Sequence, residues 1–223
     1  MNYLAHALSS LDDPYFTAGT AMPDWLAVVD RRVRLRAKWV EGFQQDADPA
    51  TAAVARGVRQ HLRDDAEFHA GKAFAELAWE LTVAARKTLH EECGLRPNFL
   101  GHLLVEVLLD AALAAEDVSR VERYYQTLEA VDPHRVEAAV NRIGRRSTRL
   151  LAPFIPRFLA ERILWDYLED GKLMKRLNQV MRRVNLSPLS ESFVHLLPQA
   201  RRRVAERKDE LLEDLSLHPG RIS

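Results

Sequence analysis

The sequence predicts an all-α protein, and three observations carry that expectation. Among 223 residues only 9 are glycine and 10 are proline, while Ala, Leu, Arg and Glu abound, a composition of strong helix formers. No segment alternates apolar and polar residues cleanly with the period of two that a half-buried strand needs. Proline, glycine and capping residues recur at intervals that cut the chain into helix-length pieces.

Short helices are expected near 2–10 and 23–30, followed by longer ones near 33–44, 49–62 and 64–92, the last of them broken. Pro97 suits the first turn of the next, about 97–115, because its missing N–H would be unpaired there anyway. Helices near 117–130 and 133–151 follow, the second opening with Asp132 as N-cap and Pro133 at the first helical position. Pro153 and Pro156 break the chain before a helix near 157–169. Gly171 and the run Asn185-Leu186-Ser187-Pro188 bracket another near 172–184, and a last long helix runs to about 215. With no internal repeat and no low-complexity linker, 1–223 reads as one all-helical, multi-helix domain. The Pro153–Pro156 break marks where a C-terminal helical subdomain, from about 157, would begin.

Bulk properties narrow the function classes. Hydrophobic residues make up 47% of the chain, enough for a substantial core, and no run of about 18 apolar residues suggests a membrane span. The opening MNYLAHALSSL lacks the basic region and small-residue cleavage site of a signal peptide. A single cysteine, Cys93, excludes a disulfide framework within the chain and suits a reducing cytosol, so a cytoplasmic protein is expected. The formal net charge of zero disfavours a non-specific grip on nucleic acid or an anionic membrane. The basic clusters Arg31–Lys38 and Arg201–Arg203 read as solvated helix faces.

Two stretches place metal-binding residue types at one repeated helical spacing. The first is His61-x-x-x-Asp65-x-x-x-His69, and the second is His102-x-x-x-Glu106-x-x-x-Asp110. Residues four apart are neighbours on a helix face, so each stretch offers a ladder of imidazole and carboxylate groups. Leu, Val and Ala surround the second, and burying polar groups there costs about 1–3 kcal/mol each unless something pairs with them. A ladder of three rungs rises about 12 Å and turns through roughly 80°, too far for one ion to take every rung. Either two metals lie along a ladder, or one end orients a ligand by a hydrogen bond. His61 and Asp65 are the favoured ligands of the first ladder, with His69 as part of a second set or a proton shuttle. In the second, Glu106 and Asp110 are favoured, with His102 as an added ligand or a catalytic base. Imidazole and carboxylate donors without clustered cysteines suit Mn, Fe, Zn or Mg rather than a structural zinc.

Blander readings stand beside these. A histidine four residues from a carboxylate is commonly an exposed ion pair or a satisfied core histidine. His6, flanked by Leu4 and Leu8 on a helical face, reads alone as a hydrogen-bonded core residue. Asp24, after Pro23, reads as a capping or first-turn carboxylate. His90, His134, His195 and His218 have no carboxylate at ligand spacing, and Cys93 reads as a buried or surface thiol.

Several segments together resemble the acyl carrier protein phosphodiesterases. MNYLAHALSS resembles that family's MNFLAHLxLA opening, and AGTAMPDW, residues 18–25, resembles its GNLLADF. GVRQHLRDD, residues 57–65, resembles GIxxHRxID, matching the glycine, the histidine and the aspartate. EVLLDAAL, residues 106–113, resembles its D-x-x-x-D-H-F-L stretch. The C-terminal rhythm, from Arg157-Phe158-Leu159 through residues 177–183, is similar as well.

That family is regarded as a divergent branch of the HD-type metal-dependent phosphohydrolases, all-helical and usually manganese-dependent. Its members release 4′-phosphopantetheine from holo-acyl carrier protein. The resemblance implies metal-binding roles for Asp24, His61, Asp65 and Asp110, with Glu106 keeping ligand chemistry, and places His6 in the same pocket. It implies an acidic protein partner, for which Arg31, Arg32, Arg34 and Arg36 would form a basic rim. The chain departs from the pattern at His69 and Glu106, where the family has aspartates, and at Ala111, where it has histidine. His102 has no counterpart. No contiguous His-Asp dipeptide exists in the chain. The rival readings are a zinc-dependent phospholipase C-like hydrolase and a non-enzymatic helical interaction protein.

Overall fold

The computed structural model describes residues 1–89 and 97–213, and every regular element among them is helical. In chain order the α-helices are α1 (Tyr3–Ala7), α2 (Pro14–Val29), α3 (Ala37–Val40), α4 (Pro49–Ala70), α5 (Lys72–Thr88), α6 (Pro97–Glu116) and α7 (Val118–Glu129). They continue with α8 (Pro133–Ile143), α9 (Leu151–Glu161), α10 (Ile163–Asp166), α11 (Asp170–Arg183), α12 (Leu197–Glu206) and α13 (Lys208–Glu213). Short 3-10 turns cover Glu41–Phe43 and Glu191–Leu196. The all-α expectation holds.

These helices form two compact units, each assembled from separated segments. The first comprises Tyr3–Ala66 and Val118–Arg162; the second comprises Met1–Asn2, Glu67–Asp117 and the described residues from Ile163. Of the stretch after Pro156, residues up to Arg162 belong to the first unit, and from Ile163 the chain shares a unit with α5 and α6.

In the first unit Asp13 opens α2 by accepting the Phe16 N–H at 3.1 Å, with Pro14 at the first helical position. Asp48 opens α4 in the same way, accepting both the Thr51 N–H at 2.9 Å and the Thr51 hydroxyl at 2.8 Å. The two helices cross at Gly19 and Gly57. A Cβ on Gly57 would overlap the Phe16 carbonyl oxygen and come within 2.8 Å of the Gly19 Cα. Only hydrogen side chains allow this approach. Trp25 is fully buried on the other side of α2, edge-on to Phe154 and Phe158 of α9.

In the second unit α6 packs between α5 and α12. Gly101 makes the close approach here, since a Cβ would overlap the Thr82 hydroxyl and the Ala78 carbonyl of α5. By length and composition α6 could cross a membrane, a feature the sequence reading missed, but 61% of that stretch is buried, with Leu100, Leu104 and Leu108 fully so. Ion pairs Arg203–Glu80, Arg207–Glu76 and Lys208–Glu116 line the unit's surface. Arg203 of the second basic cluster is thus paired with acid rather than simply solvated.

Several expected boundaries move. α2 begins at Pro14, not near 23, and runs through Pro23, so Asp24 lies inside the helix instead of capping it. α4 is unbroken through 62–64 and ends only before Gly71, whose ψ of 142° leaves helical space. α8 stops at Ile143, with Gly144 extended. α9 then opens at Leu151, not 157, because Glu137 Oε2 accepts the Leu151 and Ala152 N–H groups. Pro153 thus sits in a first turn, where no N–H partner is needed, and Pro156 is carried inside the helix. Arg162, left-handed at φ 43°, ends α9 and splits the expected 157–169 helix. The stretch near 33–44 shortens to α3 and a 3-10 turn, the 2–10 helix to α1, and the last long helix divides at Arg207. His90, Cys93 and His218 lie outside the described residues.

Candidate functional site

The polar ladders resolve into two separate groups, one in each unit. Within each group one ligand atom from every residue lies within 4.8 Å of the others.

The first group joins His6 of α1 to His61 and Asp65 of α4. Both histidines are buried, and their rings stack at 3.9 Å with 22° between planes. Each presents Nε2 to the same carboxylate, His6 at 3.2 Å from Asp65 Oδ1 and His61 at 3.3 Å from Oδ2. Their Nδ1 atoms are held from behind. His61 Nδ1 lies 2.7 Å from the Thr20 carbonyl of α2, and His6 Nδ1 lies 3.5 Å from Asp64 Oδ2. The close crossing at Gly19 and Gly57 brings that Thr20 carbonyl to α4.

This geometry constrains protonation. A carbonyl oxygen only accepts, so His61 Nδ1 carries a proton and donates it to Thr20. Its Nε2 then faces Asp65 either as a second N–H, making an imidazolium, or as a lone pair that needs a cation before the carboxylate. Burial opposes the imidazolium, yet the Asp65 hydrogen bond and the charges of Asp24 and Asp65 hold its pKa above the ordinary histidine value. Burial likewise works against the Asp65 carboxylate, but hydrogen bonds from His6 and His61 outweigh it and keep the carboxyl ionised far below its usual range. The pocket is thus built for one positive charge beside Asp65.

The second group joins His69, the last rung of the first ladder, to His102 and Glu106 of α6. His69 Nε2 and His102 Nε2 lie 3.0 and 3.2 Å from the same Glu106 Oε1. The Met1 amino group is 3.1 Å from that oxygen too. Burial would raise the Glu106 pKa, and the two histidines instead hold it below the ordinary carboxyl value. The side chains of His69 and His102 are 32% and 43% exposed, unlike the buried pair of the first group. Phe74 stands edge-on to both rings.

Asp24 and Asp110 belong to neither group of three among the described residues. Asp24 acts on His61 through its charge, and Asp110 is buried on α6 one turn beyond Glu106. In the suggested basic rim Arg32 is committed to Asp30, at 2.9 and 3.0 Å, and Arg36 lies over the Trp39 ring at 5.3 Å. Sequence reasoning missed Asp64, which is completely buried, faces His6 and accepts from Gln60 Nε2 at 2.5 Å. The adjacent pair Asp64-Asp65 was its one signal. The Thr20 carbonyl, a backbone group, left none.

Comparison with protein-family models, curated proteins and solved structures finds no match for this chain.

Proposed function

We propose that the protein is a metal-dependent phosphodiester hydrolase whose principal cation is held by His6, His61 and Asp65. One observation carries the reading: two buried imidazoles turn Nε2 onto one carboxylate while their Nδ1 atoms are held from behind. Such backing fixes ring orientation and tautomer in metal-ligating histidines. The donor set fits a divalent ion, because a cation can replace the second proton that His61 otherwise needs beside Asp65. Imidazole and carboxylate donors suit manganese, iron, zinc or magnesium, and the family resemblance favours manganese among them.

A bound ion would polarise a phosphoryl oxygen and lower the pKa of a water. The chain's own groups do the rest. Thr20 and Asp64 lock the rings, and Asp24 adds negative charge that favours a cation at His61. His69 and His102, more exposed and sharing Glu106, are suited to hold or deliver a proton or to take a second ion. Asp110 enters the ligand set through the family resemblance. The same resemblance supports holo-acyl carrier protein as substrate and the single cysteine supports a cytoplasmic setting, while the departures at His69, Glu106 and Ala111 favour a related phosphodiester as the alternative.

The test is incubation with manganese and holo-carrier protein, read by mass. Loss of the phosphopantetheine arm, abolished in His61→Ala, is the expected outcome. Unchanged carrier mass rejects that substrate, and failure to cleave an activated aryl phosphodiester with any of the four metals rejects the hydrolase. An internal ion-pair role in an interaction protein would leave both reactions silent.

A further inference from the structure

A groove of about 360 Å³ in the first unit carries a surplus of hydrogen-bond donors that the hydrolase reading does not use. Three of its lining residues, Arg56, Arg59 and Arg63, come from α4, with Gln60 between them. At about 100° per residue these four span an arc of roughly 100° on α4, nearly opposite His61 and Asp65. The groove is therefore a different face of the helix from the first group. Phe16 of α2 and the segment holding Glu41 and Gln44 complete its walls.

The donors are unequally matched. Among the described residues the Arg59 side chain makes no ion pair or hydrogen bond. Arg63 reaches Gln60 with one terminal nitrogen and stands 3.8 Å from Asp64 Oδ1, but its Nε is buried without an acceptor. Arg56 donates to the Gln44 carbonyl at 3.3 Å and lies 4.0 Å from Asp13. A buried guanidinium N–H left without an acceptor is costly, and Glu41 is the one carboxylate in the lining against three guanidiniums. What the groove lacks is an acceptor carrying several oxygens. Guanidinium forks match such oxyanions with paired N–H bonds.

We propose that this groove is a binding site for a phosphate group, with Arg59 and Arg63 as its principal donors and Arg56 closing the open side. Gln60 joins the floor of the groove to Asp64, and so to the backing of His6. The site needs no metal and stands independently of the hydrolase reading.

Calorimetric titration of inorganic phosphate into EDTA-treated protein at fixed ionic strength tests it, with acetate titrated in parallel. Saturable phosphate binding is expected, weakened at least tenfold in Arg59→Gln and in Arg63→Gln and unchanged in Arg182→Gln, an exposed arginine of α11. Helical circular dichroism of each variant confirms folding, and Arg59→Lys, which keeps the charge but loses the fork, should bind with intermediate strength. Absence of binding, equal binding of acetate, or indifference to both arginine changes would overturn the site. Binding that appears only with added metal and vanishes in His61→Ala would overturn it too, assigning the phosphate to the metal pocket instead.

Discussion

The two histidine–carboxylate groups each set two imidazoles around one carboxylate, Asp65 in one and Glu106 in the other, and differ in their surroundings. His6, His61 and Asp65 lie inside the first unit with the imidazoles fully enclosed and backed by Thr20 and Asp64. His69, His102 and Glu106 lie in the second unit with both rings partly in water. This backing separates them, because ring orientation is fixed in one group and loosely held in the other. Composition alone therefore does not single out the proposed metal site. The neighbours that spend the remaining ring nitrogen decide whether two imidazoles can wait, rigidly, for an ion.

The helix crossing that supplies the backing is the place to break the comparison most severely. Gly57→Ala pushes a methyl group into backbone, the Phe16 carbonyl and the Gly19 Cα, neither of which can rotate away. Overpacking of this kind costs about 1–3 kcal/mol or more. At about 2–4 °C per kcal/mol for a chain this size, a thermal scan should show a clear drop in midpoint. A midpoint unchanged within 1 °C (about the precision of such a scan, well under the expected shift) would mean that the crossing does not position Thr20.

Deleting one imidazole from each group comes next. His61→Ala leaves half-buried Asp65 and the buried Thr20 carbonyl short of a donor, which should cost about 1–3 kcal/mol. His102→Ala leaves Glu106 still paired with His69 in a partly wetted site and should cost less than about 1 kcal/mol. Urea denaturation of the two variants side by side checks the order, and a larger loss in His102→Ala reverses the comparison.

How much of this was legible in the sequence depended on whether the signal was local. Asp132 and Pro133 start α8 and Pro97 starts α6 because caps and first-turn prolines act within one turn. Pro23 and Pro156 misled for the same reason. Each looks like a boundary, but α2 and α9 are held through them by tertiary contacts, Trp25 against Phe154 and Phe158 among them. The His61–Asp65 pair was visible as spacing along one helix. Its junction with His6 was suggested by family resemblance and not by spacing, and the parting of His69 from it to Glu106 depends on which helix each face meets. Of the groups that distinguish the first group, Asp64 left only its adjacency to Asp65 as a signal, and the Thr20 carbonyl is readable only in three dimensions.

A milder perturbation acts on α4, which supplies His61 and Asp65. Hydrogen bonds from the Thr51 hydroxyl and N–H, with Arg135 nearby, hold the Asp48 pKa down to about 2 against the opposing effect of burial. A depressed folded-state pKa stabilises above the unfolded value, about 3.9 for Asp, and that stabilisation is lost as pH falls toward about 2. Asp48→Asn should therefore reduce stability at pH 7 and make little difference near pH 2. Equal loss at both pH values would show that the charge of Asp48 is immaterial to the helix start.

Manganese titration followed by calorimetry on three proteins tests most directly whether backing, rather than composition, makes the proposed metal site. The unaltered chain and His102→Ala should both bind manganese saturably at the His6–His61–Asp65 site, while His61→Ala should lose binding there. Retention of binding by His61→Ala with loss in His102→Ala, or no binding by the unaltered chain, would contradict the claim.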